Sequence, residues 1–488
     1  MGPRELFSRG ELQACLRAAE NEPAFQDRVL TVYALMRLGR YAEALNAVAR
    51  LNPLTNENVA LTRALESECH ALQGELEPAR RALEGCHDKV VDLETAFEIA
   101  YARMLVGWLQ GSPEAMESAL SECDVRLSPH LYARWLYGSS WIASLRGDYR
   151  EQLRLLEQTV AQIGGAPVAF DVALLAAATR ALVHLVREIA APGAFECALR
   201  TAEAIPWTAD LAREHFLTLR GLAWACALRG EHAQALHYCY LARDVAPSAM
   251  WVTACYADQA YLARMAGEEA SASALLDHAV ASALKTDWQS PGEERVAMLN
   301  LMELVADRDV AQARRLLEAY DAIPVSLSPW LALSRDRRFK AMEDYARATV
   351  LGASGESRSA AALFEDAFRT FVPIGYAWRA AASALRLHAL TGERLWLERA
   401  SESVEEFADS SVAHEIRRKA VGFDAHVGRL TPAQRRVFEL ICEGLADKQI
   451  AHELHISPET VKNHAARVRL AFGVHSRAAL IAAMRKAV

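Results

Sequence analysis

Three residues near the end of the chain, Asn463, Ala466 and Arg467, are spaced to share one side of a helix and suited to read base pairs. Arg can fork onto the two acceptors of guanine, Asn can pair with adenine, and Ala can touch the 5-methyl of thymine. Lys462 and Arg469 flank that face on one side and Thr460 and His464 border it elsewhere, while Lys448 opens the preceding segment. Lys462, Arg469 and Lys448 are placed for phosphate contacts, which fix register without reading sequence. Laid out at 100° per residue, Val461, Ala465, Val468 and Phe472 gather on the opposite side as a buried stripe. His464 fits a packing or capping role as well as a DNA contact. Leu470, apolar on the outer face, fits a dimer contact or simple exposure.

Short, capped helices are needed to hold such a face. Thr431 and Pro432 announce the first as N-cap and N1, Val437, Leu440 and Ile441 form its apolar stripe, and Gly444 stops it. Ile450, Ala451 and Leu454 mark the second. A turn at His455 and Ile456 leads to Ser457, Pro458 and Glu459, which are the cap, first residue and early acid of the third. The third helix is expected to end at Phe472 with Gly473 behind it, and Ser476 can cap a fourth.

The charge balance supports a local interaction with nucleic acid. The chain of 488 residues has a net charge of -8, yet residues 428–488 hold ten Lys and Arg against five Asp and Glu. The remainder therefore carries -13. A basic tail on an acidic body confines phosphate contact to the tail.

The tail resembles the LuxR-type helix-turn-helix. The residues that carry the match are Leu430-Thr431-Pro432, Val437, Gly444, Lys448, Ile450-Ala451, Leu454, Ile456-Ser457, Thr460-Val461-Lys462, His464, Gly473-Val474 and Arg477. The resemblance covers only the final eighth of the chain. It implies a four-helix domain that binds double-stranded DNA as a dimer, with the third helix in the major groove. The fourth helix, with Ala478, Leu480, Ile481 and Met484, would then form the dimer contact. Gln434, Ala446 and Ala471-Phe472 depart from the family pattern of Glu, Ser and Lys-Leu, and none of them lies on the reading face.

The body of the chain reads as all-α. Ala and Leu dominate it, and apolar residues recur at three- and four-residue spacing. A recurring mark combines a Gly, an acid close behind it and a small or apolar residue five positions after the Gly. It falls at Gly39, Gly74, Gly111, Gly147, Gly193, Gly230, Gly267, Gly355 and Gly392, with a degenerate copy at Arg308. Most intervals are 35 to 37 residues. Each mark reads as the turn of a helix hairpin: Gly ends one helix, the acid enters the first turn of the next, and the small residue lets the two pack closely. A single hairpin cannot bury its apolar face, so neighbours must stack. The pattern resembles tetratricopeptide repeats, best in the first copy with Tyr33, Leu38, Gly39, Tyr41, Ala44 and Pro53, and is degenerate elsewhere. Two long intervals contain breakers, at 164–167 and 324–329, and are expected to be loops.

These readings give an α-hairpin superhelical solenoid over 1–420, a linker over 421–429 and a helix-turn-helix domain over 430–488. Trp224, Tyr238, Tyr240, Trp251 and Tyr256 concentrate aromatics in the central repeats and are candidates for an effector groove taking a peptide, a protein or a small molecule. Enzyme chemistry finds little support. No Gly-Lys dipeptide exists for a P-loop, no GxSxG or dinucleotide fingerprint occurs, and His452 to His455 falls one residue short of HExxH. The nine cysteines are scattered without a CxxC pair, which suggests neither a disulfide framework nor zinc. No cofactor or metal is expected. Without an apolar run of membrane-spanning length or a secretory leader, a cytoplasmic location is expected. The leading expectation is a DNA-binding regulator, with a protein-interaction scaffold as the alternative.

Overall fold

The structure is a computed structural model. It describes the chain outside residues 21, 23, 87–91, 124–127, 165–170, 188, 190, 192, 247, 287–293, 324–336, 408–409, 411, 418–429, 443–444 and 472–488. Among the described residues every regular element is a helix.

A short hairpin, α1 (Pro3–Ser8) and α2 (Leu12–Ala19), leads the array. Eight hairpins follow in the first compact unit: α3 (Phe25–Arg37) with α4 (Tyr41–Ala49), α5 (Asn56–Gln73) with α6 (Leu76–Leu83), α7 (Leu93–Gln110) with α8 (Pro113–Ser121), α9 (Pro129–Arg146) with α10 (Tyr149–Gly164), α11 (Val172–Val186) with α12 (Ala194–Ala204), α13 (Ala212–Leu228) with α14 (His232–Asp244), α15 (Ala249–Met265) with α16 (Glu269–Ala283), and α17 (Glu294–Ala306) with α18 (Val310–Asp321). That unit comprises residues 1–227 and 231–343. The second comprises 228–230 and 344–488. It holds most of α19 (Arg337–Ala353) with α20 (Ser357–Ile374), then α21 (Ala377–Thr391) with α22 (Arg394–Ser403), and the terminal helices. Helices make their main contacts with the next in sequence or the next but one, as in a stacked repeat.

All ten marks read from the sequence fall at hairpin turns. Gly147, at φ +76°, closes α9 in the left-handed region, with its N–H donating to Ser144 O at 3.0 Å and Asp148 N–H to Ala143 O at 2.9 Å. Here the acid stands one step earlier than the expected first turn, at the N-cap, whereas Glu43, Glu114 and Glu196 of other marks lie in the first turn. Asp148 Oδ1 accepts from Glu151 N–H at 3.0 Å, and Asp309 caps α18 in the same way. The degenerate copy turns at Arg308 without a left-handed residue. The small residues five positions on, Ala44, Ala79, Ala198, Ala235, Ala313 and Ala360, are fully buried, and Ala272 nearly so. Close approach is needed elsewhere too: a Cβ on Gly107 would stand 3.0 Å from the backbone N of Met116. The breaker stretch 324–329, and 165–167 of the other, lie outside the described residues.

Within the first unit the array curls back on itself. Gln13 N–H donates to Asp210 Oδ2 at 2.9 Å across 197 positions, and Thr208 Oγ1 donates to Gly10 O at 3.0 Å across 198. Further along, the Arg338 guanidinium covers the Tyr149 ring at 4.3 Å.

The first helices of successive hairpins are also stitched by buried charge. Arg134 of α9 forks onto both carboxylate oxygens of Glu98 on α7, with Nη2 to Oε2 at 2.9 Å. The Tyr33 hydroxyl of α3 donates to Glu98 Oε1 at 2.6 Å, and Glu68 of α5 lies 4.0 Å from Arg134. The rings of Phe97, Tyr101 and Tyr33 surround the guanidinium at 5.1, 4.8 and 5.9 Å. Arg37 of α3 pairs with Asp171, the N-cap of α11, at 3.1 Å. Arg220 with Asp258 and Tyr261 with Glu303 continue the pattern.

Burial, reinforced by neighbouring Glu98, pushes the Glu68 carboxyl well above the usual range. Burial also raises Glu98, but the charge and hydrogen bonds of Arg134 outweigh it and hold that carboxyl low. Of the two carboxyls, Glu68 is the one that burial drives toward its neutral form. An acid raised in the folded state contributes stability in full below its unfolded pKa of about 4.3 and loses it as pH rises through the folded value. Glu68→Gln, which mimics the protonated acid, should therefore raise the melting temperature at pH 8 to 9 and change it little at pH 5. Thermal melts of the full chain across that range check this.

Six of the cysteines, including Cys15, Cys69 and Cys239, are buried in helix packing as small apolar residues, while Cys123 and Cys197 are half-buried. Burial pushes the Cys15 thiol up to about 11 and that of Cys69 higher still, which suppresses thiolate chemistry.

Candidate nucleic-acid interface

Three helices of the second unit build the terminal site: α23 (Pro432–Cys442), α24 (Asp447–Glu453) and α25 (Pro458–Ala471). Thr431 Oγ1 accepts from Gln434 N–H at 3.3 Å, and Gln434 Oε1 accepts from Thr431 N–H at 2.9 Å. Gln434, a departure from the family pattern, therefore completes a reciprocal capping box. At α24 only half of that arrangement forms. Gln449 Oε1 accepts from Ala446 N–H at 2.8 Å, and alanine has no oxygen to return. Ser457 caps α25, its Oγ accepting from Thr460 N–H at 3.1 Å and lying 2.8 Å from Thr460 Oγ1. Between α24 and α25 the chain turns through His455 at φ +51°, which among the described residues is the one non-glycine in the left-handed region.

The helices close on a core of Leu430, Val437, Phe438, Leu440, Ile441, Ile450, Ala451, Val461, Ala465 and Val468. Val461 and Val468 are 0% exposed. Because these fill one side of α25, its other side must face outward. Lys462, Asn463, Ala466 and Arg467 are all exposed there. Arg469 is half-buried on the flank and Lys448 is exposed in the first turn of α24. Thr460 is half-buried with its hydroxyl held by the cap. His464 turns Nδ1 inward, where no protein group meets it.

Two further residues lie on the outward face. Glu459 is exposed, with its carboxylate 3.6 Å from Lys462 Nζ, and Leu470 is 81% exposed. The helical layout already puts Glu459 near Asn463, but its place in the first turn reads more simply as a dipole partner. Ala478, Leu480, Ile481 and Met484, expected at a dimer contact, lie outside the described residues, as do the expected linker and Phe472.

The central aromatics are not gathered into one groove. Trp224 packs on Tyr261 at 4.8 Å and Trp251 on Phe216 at 4.4 Å, and both are buried, as is Tyr238. Large rings on the inner sides of these hairpins fill the space between helices, which is why three of the five became core. Tyr240 is exposed above Arg243, and Tyr256 is half-buried against His278 at 4.2 Å. Among the described residues no cluster of three or more His, Cys, Asp or Glu could hold a metal, and no helix is long and apolar enough to cross a membrane.

Residues 429–484 match the family described as bacterial regulatory proteins, luxR family. Three mycobacterial proteins provisionally named HTH-type transcriptional regulators are 36% identical over 113 residues: Mb0914c of Mycobacterium bovis (strain ATCC BAA-935 / AF2122/97), and MT0914 and Rv0890c of Mycobacterium tuberculosis (strains CDC 1551 / Oshkosh and ATCC 25618 / H37Rv). The match takes in 21% of this chain but only 12% of the length of each relative. A solved structure titled "Structure of Naa15/Naa10 bound to HypK-THB" aligns over 99% of this chain and 93% of its own at 14% identity, but its TM-score of 0.23 is too low to indicate a common fold. The capped trihelical core, the outward polar face of α25 and the family match together identify residues 429–484 as a helix-turn-helix domain of the bacterial regulatory proteins, luxR family.

Proposed function

We propose that the chain is a cytoplasmic, non-enzymatic transcription regulator that binds specific DNA through the outward face of α25. One observation carries this reading: Lys462, Asn463, Ala466 and Arg467 are exposed on the side of α25 opposite Val461, Ala465 and Val468, in a domain of the luxR family. In this reading α25 enters the major groove, Asn463 and Arg467 pair with base edges, and Lys448, Lys462 and Arg469 hold phosphates, with Thr460 and His464 at the margin. The protein acts as a homodimer at least on DNA, joined through residues 478–484. The hairpin array takes the regulating effector, a peptide, protein or small molecule, and its acidic balance keeps it off the DNA.

Lys462→Ala should weaken binding to every duplex and lower the salt slope by about one, whereas Arg467→Ala should relax base preference by ~1–3 kcal/mol. Fluorescence anisotropy from about 50 to 200 mM salt separates the two effects. Binding that is insensitive to salt would instead favour a protein-interaction scaffold.

A further inference from the structure

We propose that Ala466 and Leu470 form an apolar strip that reads thymine 5-methyl groups in the major groove. The proposal rests on the DNA-binding reading above and adds what kind of site the domain selects.

Leu470 is the anomaly of α25. Val461, Ala465 and Val468 are at most 5% exposed, yet Leu470 is 81% exposed. At 100° per residue it projects within about 20° of Asn463 and about 40° of Ala466, at the centre of the outward face. Arg467 and Arg469 flank it, and Lys462 lies about two turns back beside Glu459, which leaves the face net positive, so a partner drawn to this face is a polyanion, and docking buries the leucine against that partner. Duplex DNA offers one apolar group in its major groove, the methyl of thymine. Ala466 supplies only a methyl and lets the backbone come close. The two residues stand four apart, about 6 Å along the helix at a 1.5 Å rise. At about 3.4 Å per base step, a helix lying along the groove places them over thymines roughly two steps apart.

The test uses the full chain and two pools of random duplex, one synthesised with thymine and one with uracil, which lacks only the methyl. The winning thymine duplex is then remade with uracil at each thymine in turn. One or two positions should weaken binding roughly fourfold each, the worth of about one buried methyl. Leu470→Ala and Ala466→Gly, checked by thermal melts for an intact fold, should abolish that discrimination. Equal binding of the all-uracil duplex overturns the proposal and leaves DNA binding standing. A uracil effect unchanged in both variants also overturns it, and a shift in protein-to-DNA stoichiometry in Leu470→Ala would then mark Leu470 as a dimer contact. Enrichment of no duplex from either pool overturns the underlying reading and this proposal together.

Discussion

Arg134→Met should destabilise the first unit by about 3–5 kcal/mol, the cost of breaking a buried ion pair and stranding its partner. The guanidinium is 8% exposed, neutralises Glu98, lies 4.0 Å from Glu68 and sits among three aromatic rings. Without it Glu98 must either stay charged in an apolar setting or take up a proton. The effect should spread along the array, because Tyr33, Glu68, Glu98 and Arg134 sit on the first helices of four successive hairpins. Adding Glu98→Met to Arg134→Met should recover much of the loss, since a matched apolar pair replaces a charged one at little cost. Denaturant titration followed by circular dichroism measures both. If the single and double variants are equally destabilised, the network does not act as a unit.

The second large effect separates folding from binding on one helix. Val468→Asp puts a carboxylate into the closed core of the terminal domain, where Val468 is 0% exposed. Burying an unpaired charge costs several kcal/mol, and a domain of this size is stable by only about 5 kcal/mol or little more. The domain should unfold and DNA binding should vanish with it. Leu470→Asp, two residues on and facing out, should leave the melt unchanged yet weaken DNA binding by about tenfold or more through phosphate repulsion. Limited proteolysis beside anisotropy reads the two properties separately. Equal loss of fold in both variants would refute the assignment of the inner and outer sides of α25.

What the sequence made legible follows from how local each signal is. Most of the hairpin turns combine a left-handed glycine with a cap within a few positions, so Gly147 with Asp148 shows plainly, and the degenerate turn, which has no left-handed residue, still keeps Asp309 as its cap. The leading α1–α2 hairpin turns at Gly10, φ +73°, with Glu11 behind the glycine and fully buried Cys15 five positions on, so it carries the whole mark although it is not among the ten copies named from the sequence. The terminal helices carry their own caps and stripe, which is why the exposed positions of α25 could be assigned from spacing alone. The charge network has no such signature. Glu68, Glu98 and Arg134 each look like ordinary charges on an Ala- and Leu-rich helix, and only the stacking of hairpins brings them together. The same stacking buries Trp224 and Trp251, which composition alone offered as groove residues. Aromatic content says that a ring must pack, but not against which surface.

Whether the chain reads DNA sequence through α25 is decided by sequencing fragmented genomic DNA captured by the full chain, beside Lys462→Ala. The native chain should enrich a shared short motif, two-fold symmetric where it binds as a dimer, and Lys462→Ala should deplete it. Capture of no common motif by the native chain, or identical capture by both proteins, would contradict sequence reading through α25.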